Sequence, residues 1–378
     1  MTHHGTPQGA LSLFDLIGRA WDLGCPVAQL VFNASQTAVA APCSDGSVRF
    51  LPVADSEHPE TRMRVEFDTG RMSIRPRKNG LPAAFGTGEP VVREEPGMCR
   101  LGTEGFAAIG LDGGLWRATA RGQFLRIAQG SPAPFDALCD LPGEGGLAAV
   151  QGSELKIFGP DGAALPGSVP LAHGVRRLRL SPDGRTLACW RPGSLTLVDL
   201  ATAAVVATVE GEGDLLDLAW SPDGRWIAGG CREKALLLYD TQARQADRIV
   251  DFPAPVGQVA FSAPARALIA SGAFRTVGWR LPDLPFGDHG GEAIETGRAG
   301  LTLVEAVAAH PARDLCAVGY ANGLVTLSRI GQRDEMMLRE GTGRAVTALS
   351  WSADGSHLAL GSDDGTAAIV TFPKSMFK

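Results

Sequence analysis

LAWSPDGRWIAGG, residues 218–230, is the stretch from which the rest of the chain can be read. An apolar run ends at Trp220, Ser221-Pro222-Asp223-Gly224 reverses the chain, and a second apolar run begins at Trp226. Proline fixes φ, aspartate bonds its own backbone two residues on, and glycine accepts positive φ, so the four residues encode a tight turn between two strands. The same grammar recurs in LRLSPDGRTLACW from Leu178, VAFSAPARALIAS from Val259, VAAHPARDLCAVG from Val307 and LSWSADGSHLALG from Leu349. The turn residues Ser181, Ser221, Ser262, His310 and Ser352 are spaced 40, 41, 48 and 42 residues apart. With strands and turns inside each unit, that period describes a four-stranded β unit repeated along the chain.

The last unit shows the anatomy. Val346, Leu349 and Trp351 mark an inner strand, Ser352 to Gly355 the turn, His357 to Gly361 a second strand, Asp364-Gly365 a hairpin and TAAIVTF a third strand. Small and β-branched residues dominate, as expected where both faces of a strand are packed. Three weaker units precede the clear ones: LVFNASQTAVAAPCSDGSVRFLPV from Leu30, MCRLGTEGFAAIGLDGGLWRAT from Met98 and ALCDLPGEGGLAAVQGSELKIF from Ala137. Eight units result, with turns near 33, 103, 143, 181, 221, 262, 310 and 352, and seven if one weak unit is misread. The first gap is 70 residues instead of about 40, which predicts an insertion, placed at 70–97 between blades. The last unit stops after its third strand, at Phe372, so a strand from residues 10–23 is expected to complete it and close the ring.

These repeats resemble the WD40 family of β-propellers, through WSPDG at 220–224, LSPDG at 180–184 and WSADG at 351–355. The terminal Trp-Asp pair of that family survives only as Tyr239-Asp240 and Val198-Asp199, and its Gly-His element is nearly absent. The resemblance implies an all-β fold in which residues 1–378 form one β-propeller of four-stranded antiparallel blades. It also implies a protein-interaction scaffold that holds a partner on its rim or over its channel.

Composition narrows the function. The formal net charge of -6 argues against a general nucleic-acid binder, and the seven cysteines show no C-x-x-C or zinc-type spacing, which fits a reduced, cytoplasmic setting. No run of apolar residues is long enough to predict a membrane span, and no secretory signal is expected from the opening residues. None of the five lysines follows a glycine, so there is no P-loop, and H-E-x-x-H and G-x-S-x-G are also absent from the sequence. No catalytic residue, cofactor or metal is therefore expected.

Three groups of residues are candidates for binding. Loops between second and third strands should share one rim of the disc, which nominates Trp190, Arg191, Arg232, Phe274, Arg275, Tyr320 and Asp363 as a partner-binding surface, since aromatics and arginine dominate interface hot spots. The stretch 61–80 carries Arg62, Arg64, Arg71, Arg75, Arg77 and Lys78, suited to an acidic protein partner or, less readily, a nucleic-acid backbone; the plain alternative is a solvated, charge-blunted edge. Arg176, Arg177, Asp217, Gln258 and Glu305 fall on inner strands facing the expected channel, where a small anion would bind. That last group carries the alternative reading, a channel-centred small-molecule binder, hydrolase or lyase. His3-His4, His289 in GDHGG and His310 in HPARD invite a metal reading, but His310 replaces the turn serine of its own repeat, which gives it a structural role.

Overall fold

The computed structural model describes residues 11–65, 68, 72–93, 97–143 and 145–377. Among them, strands assemble into eight four-stranded antiparallel sheets arranged as the blades of a propeller, with one extra two-stranded hairpin. The fifth blade is representative: inner strand Leu215–Trp220, second Trp226–Cys231, third Ala235–Asp240 and outer Gln245–Ile249. The eighth takes Val346–Trp351, His357–Ser362 and Thr366–Thr371 from the C-terminal end and Gly18–Asp22 from the N-terminal end. Gly18 pairs with Val370 and Asp22 with Thr366, so an N-terminal strand closes the ring, shorter than the expected 10–23 because Leu13–Ile17 forms a helical turn capped by Ser12.

There is no single core. Eight apolar clusters fill the eight seams between neighbouring blades, and strand periodicity assigns residues to them. In the fifth blade Ile227, Cys231, Leu237 and Tyr239 face the fourth, whereas Trp226, Ala228, Leu236 and Leu238 face the sixth. Alternate side chains leave a strand on opposite faces, so a strand packed on both sides must be apolar throughout. This explains why Trp226–Cys231 and Ala235–Asp240 are buried along their whole lengths.

The turns that mark the repeat are built as their residues require. Ser181, Ser221 and Ser352 each donate Oγ–H to the aspartate two residues on (2.5, 2.5 and 2.6 Å). Each also accepts the N–H of the first residue of the returning strand, at 2.9, 2.8 and 2.9 Å. Gly224 has φ +73°, a conformation that strains any residue with a Cβ. His310 plays the serine's part with its ring: Nδ1 accepts the Ala312 N–H at 3.1 Å and the imidazole packs 4.7 Å from Trp351. Tyr239-Asp240, the remnant of the Trp-Asp pair, is structural too, Asp240 accepting from Gln242 N, Ala243 N and Arg225.

The extra length of the first blade overlaps the expected 70–97 only in part and lies within the blade, not between blades. Its third strand, Val48–Pro52, and its short outer strand, Phe85–Gly86, are separated by a connection at 53–84 that carries one helical turn, Pro59–Arg62, and the hairpin Met63–Val65 with Met72–Ile74. The connection is thus an excursion within a blade. Repeat spacing measures how many residues are extra but not which strand they follow.

Candidate functional site

Uniform connectivity sorts the loops into two ends of the ring. Hairpins between second and third strands share one end with the connectors that lead from each outer strand to the next inner strand, and the Ser-x-Asp-Gly turns share the other with the third-to-outer connections. A recurring backbone hydrogen bond fastens connector to hairpin: Ser44 N to Pro26 O (2.9 Å), Arg232 N to Asp214 O (3.0 Å), Ala321 N to Leu303 O (2.9 Å) and Asp363 N to Ala345 O (3.0 Å). The hairpin end is therefore a continuous platform.

Of the rim residues expected from sequence, Arg232, Phe274 and Asp363 are exposed and Arg191 and Arg275 half-buried. Trp190 and Tyr320 do not reach the surface, being 1% and 6% exposed. Each sits at the end of a second strand in the same alternation as its neighbours, which sends Trp190 into the seam between the fourth and fifth blades and Tyr320 into that between the sixth and seventh. Sequence reasoning missed Leu301, which is 98% exposed on the connector into the seventh blade. Phe274, 44% exposed, belongs to the hairpin beneath it: Gly300 N donates to Phe274 O at 3.0 Å and Val304 N to Ala273 O at 2.8 Å. An isolated leucine in the glycine-flanked run RAGLTLV was the available signal.

Charge surrounds this apolar pair. Arg275 pairs with Glu295 (3.1 Å), and hydrogen bonds from Arg333 and Arg275 hold the Glu295 carboxyl below its usual range. Across the platform Asp214 lies between Arg232 (3.1 Å) and Arg176 (3.7 Å), and the Glu233 carboxylate accepts the Asp214 N–H. Arg298 and Arg344 are exposed on the two neighbouring connectors.

The channel residues have a different task. The ring encloses a channel of about 960 Å³ lined by all five predicted residues. Three of them occupy equivalent positions on successive inner strands and bond the backbone of the following blade. Arg177 Nε donates to Leu215 O (2.6 Å), Asp217 accepts from Val259 N (3.0 Å) and Gln258 accepts from Val307 N (3.0 Å). Gln29, at the same position of the first blade, accepts from Met98 N (2.9 Å), and Thr347 bonds across the closing seam to Val27 O (2.6 Å). Arg100 and Asp140 pair across the second seam at 2.6 Å. These groups stitch the ring, because an inner strand has no neighbour on its channel side to bond. Arg176 reaches up to Asp214, and Glu305 is half-buried, its carboxyl raised above the usual range by burial.

Two residues of the basic stretch, Arg62 and Arg77, are structural. Arg62 is 6% exposed and donates to Glu57 O, Arg75 O and Leu16 O, tying the connection at 53–84 to the N-terminal segment. Arg77 bonds Asp55 at 2.8 Å. Asp55 also lies 3.8 Å from Arg19 of the closing strand, whose guanidinium donates to the carbonyls of Pro52, Val53 and Ala54. Burial alone would raise the Asp55 carboxyl, but the bond from Arg77, the Glu57 N–H and Arg19 together hold it below its usual range. Arg64, Arg75 and Lys78 remain exposed, and Arg71 lies outside the described residues. The stretch projects from a third-to-outer connection, so it is at the end of the ring opposite the hairpin platform.

Fold, turn grammar and closure define the class: the chain is an eight-bladed β-propeller built of WD40-like repeats. Residues 204–240 match the family described as WD domain, G-beta repeat, and residues 308–375 the Anaphase-promoting complex subunit 4 WD40 domain. Intraflagellar transport protein 80 homologs of Rattus norvegicus and Mus musculus are each 31% identical over 85 residues, covering 22% of this chain and 11% of those relatives. The chain thus matches a small part of those proteins. The solved C-terminal WD40 domain of Sif2 superposes with a TM-score of 0.61 over 94% of this chain and 98% of its own, at 9% identity, a likeness of fold.

Proposed function

We propose that this protein is a non-catalytic scaffold that holds a partner protein on the hairpin platform, over the sixth and seventh blades. The exposed pair Phe274 and Leu301 carries the reading. Two large apolar side chains sit on adjoining, hydrogen-bonded loops, with Arg275 next to Phe274 in the hairpin, Arg298 on the same connector as Leu301, and Arg232, Arg191 and Asp363 on the hairpins of other blades. An apolar centre with a charged rim is the usual make-up of a protein interface. The exposed Arg298 and Arg344 on the neighbouring connectors suit a partner that presents an apolar residue among carboxylates. WD40 propellers are typically scaffolds of this kind, and Arg177, Asp217 and Gln258 in the channel are engaged in bonding the ring itself.

No described helix is long and apolar enough to cross a membrane, and all seven cysteines are free thiols, which supports work in the reducing cytoplasm. Affinity capture tests the assignment. Phe274→Ala combined with Leu301→Ser should lower recovery of the partner at least tenfold and leave the Tm within about 2 °C, because exposed loop substitutions cost little stability. Arg64→Glu with Lys78→Glu, at the opposite end, should change neither. Loss of the partner in the second variant and not the first would overturn the assignment.

A further inference from the structure

The sequence holds no pair of cysteines at metal spacing, yet the fold brings three donors together at the closing seam. Cys25 Sγ, Cys43 Sγ and an Asp45 carboxylate oxygen all lie within 4.8 Å of one another, the one such group of three among the described residues. Cys25 is on the connector that leads from the closing strand into the first blade; Cys43 and Asp45 are on the first blade's hairpin. The connector rests directly on the eighth blade, where a Cβ added at Gly365 would stand 2.8 Å from Cys25 N and 2.9 Å from its carbonyl oxygen. Two blades and the closing segment thus meet at these side chains.

The donor set is chemically selective. Two sulfurs and one carboxylate exclude magnesium and calcium, which take oxygen ligands, and suit a borderline tetrahedral cation. Tetrahedral zinc with bonds of about 2.3 Å to sulfur and about 2.0 Å to oxygen holds two sulfurs about 3.8 Å apart and sulfur and oxygen about 3.5 Å apart, so the sulfurs need to approach by about 1 Å at most and the carboxylate by about 1.3 Å at most. The setting supports such a geometry. Cys43 is fully buried and Cys25 8% exposed, so their sulfurs are fixed by packing, while Asp45 is exposed and leaves one side open for a water as fourth ligand. Ser47 reinforces both arms: its N–H donates to Asp45 Oδ1 at 2.8 Å and its Oγ lies 3.6 Å from Cys25 Sγ.

We infer that Cys25, Cys43 and Asp45 form a zinc-type metal site that fastens the closing seam of the ring. Binding replaces two S–H bonds with two metal–sulfur bonds and releases both protons to solvent, with no change of oxidation state. The other cysteines lack this arrangement: Cys139 and Cys189 share the seam between the third and fourth blades, with no third donor within reach.

Cobalt is the probe. The full chain, treated with chelator and a phosphine reductant, is titrated with Co²⁺ and then Zn²⁺. The expected result is one Co²⁺ per chain with sulfur-to-cobalt charge-transfer absorption and tetrahedral d–d bands, displaced by Zn²⁺ with release of protons. Thermal unfolding should shift upward with free Zn²⁺ by mass action. Cys25→Ser should abolish the charge-transfer band, and Asp45→Asn should weaken binding at least tenfold without affecting folding. Stoichiometric binding that survives Cys25→Ser, or the absence of a band in the reduced, folded wild type, would overturn the site. Cys43→Ser tests the second sulfur, and circular dichroism separates loss of metal from loss of fold.

Discussion

Replacing Arg19 with methionine removes the group on which the closing strand and the connection at 53–84 converge. The guanidinium is 1% exposed, donates to three carbonyls at 3.2, 2.7 and 2.9 Å, and lies 3.8 Å from Asp55. Burial pushes its pKa below the ordinary value, against the pull of Asp55, a sign that the fold bears a desolvation cost to keep the charge there. Charge-assisted hydrogen bonds contribute roughly 1.5–3 kcal/mol each, and breaking a buried pair costs roughly 3–5 kcal/mol. Two features move Arg19→Met to the low end. Arg77 still neutralises Asp55 at 2.8 Å, and methionine refills the space of the aliphatic stem while removing a desolvated charge. The expected loss is about 3 kcal/mol. With about 2.1 cal/mol/K of unfolding entropy per residue, the chain has about 0.8 kcal/mol/K, so the Tm should fall by about 4 °C. Differential scanning calorimetry reads this, and limited proteolysis should find faster cleavage within 53–84. A fall of less than 1 °C with unchanged proteolysis would refute the view that Arg19 anchors ring closure.

Further predictions follow from the turns, the stitches and one buried histidine. Burial depresses the His357 pKa from 6.5 to about 4, so the unfolded chain binds the extra proton between these values; stability is full above about pH 6.5 and falls as the pH drops toward 4. The total is at most about 3 kcal/mol, and His357→Gln should flatten the slope of stability against pH in that window, measured by urea unfolding. Ser221→Ala should cost about 1–3 kcal/mol by leaving the Trp226 N–H without its acceptor, read from the urea midpoint at constant m. At the channel, the two Asp217 oxygens accept from Leu218 N and Val259 N, so Asp217→Asn should lose one of these bonds and cost about 1 kcal/mol, while Asp217→Ala loses both and should cost about 2 kcal/mol; equal losses would mean that charge and not the stitch matters.

The architecture was legible because its signals are local. A Ser-Pro-Asp-Gly turn needs only its own side chains and the strand beside it, so WSPDG at 220–224 announces the structure that its hydrogen bonds then display. Closure by an N-terminal strand followed from counting, since the last unit lacked one. Positions that depend on neighbouring blades were not legible. Trp190 and Tyr320 were assigned to the rim by their place along a strand, but strand parity turns both into seams. Arg62 and Arg77 read as a solvent-facing basic patch, yet their partners are carbonyls and a carboxylate supplied by other segments. The residues expected at the channel line it, and the bonds of Arg177, Asp217 and Gln258 to the next blade's backbone are invisible without the ring. Cys25 and Cys43 show no recognisable zinc spacing in the sequence, and the pairing of the connector with the first blade's hairpin brings them together.

The central claim is that the hairpin platform, and not the opposite end or the channel, receives the partner. Hydrogen–deuterium exchange of the captured complex against the free protein tests it directly. The account predicts new protection confined to 271–275, 297–303 and 231–234, with the turns at 181–184, 221–224 and 352–355 and the strap at 53–65 unchanged. Protection of those turns or of 53–65, with 271–275 and 297–303 exchanging as in the free protein, would contradict it.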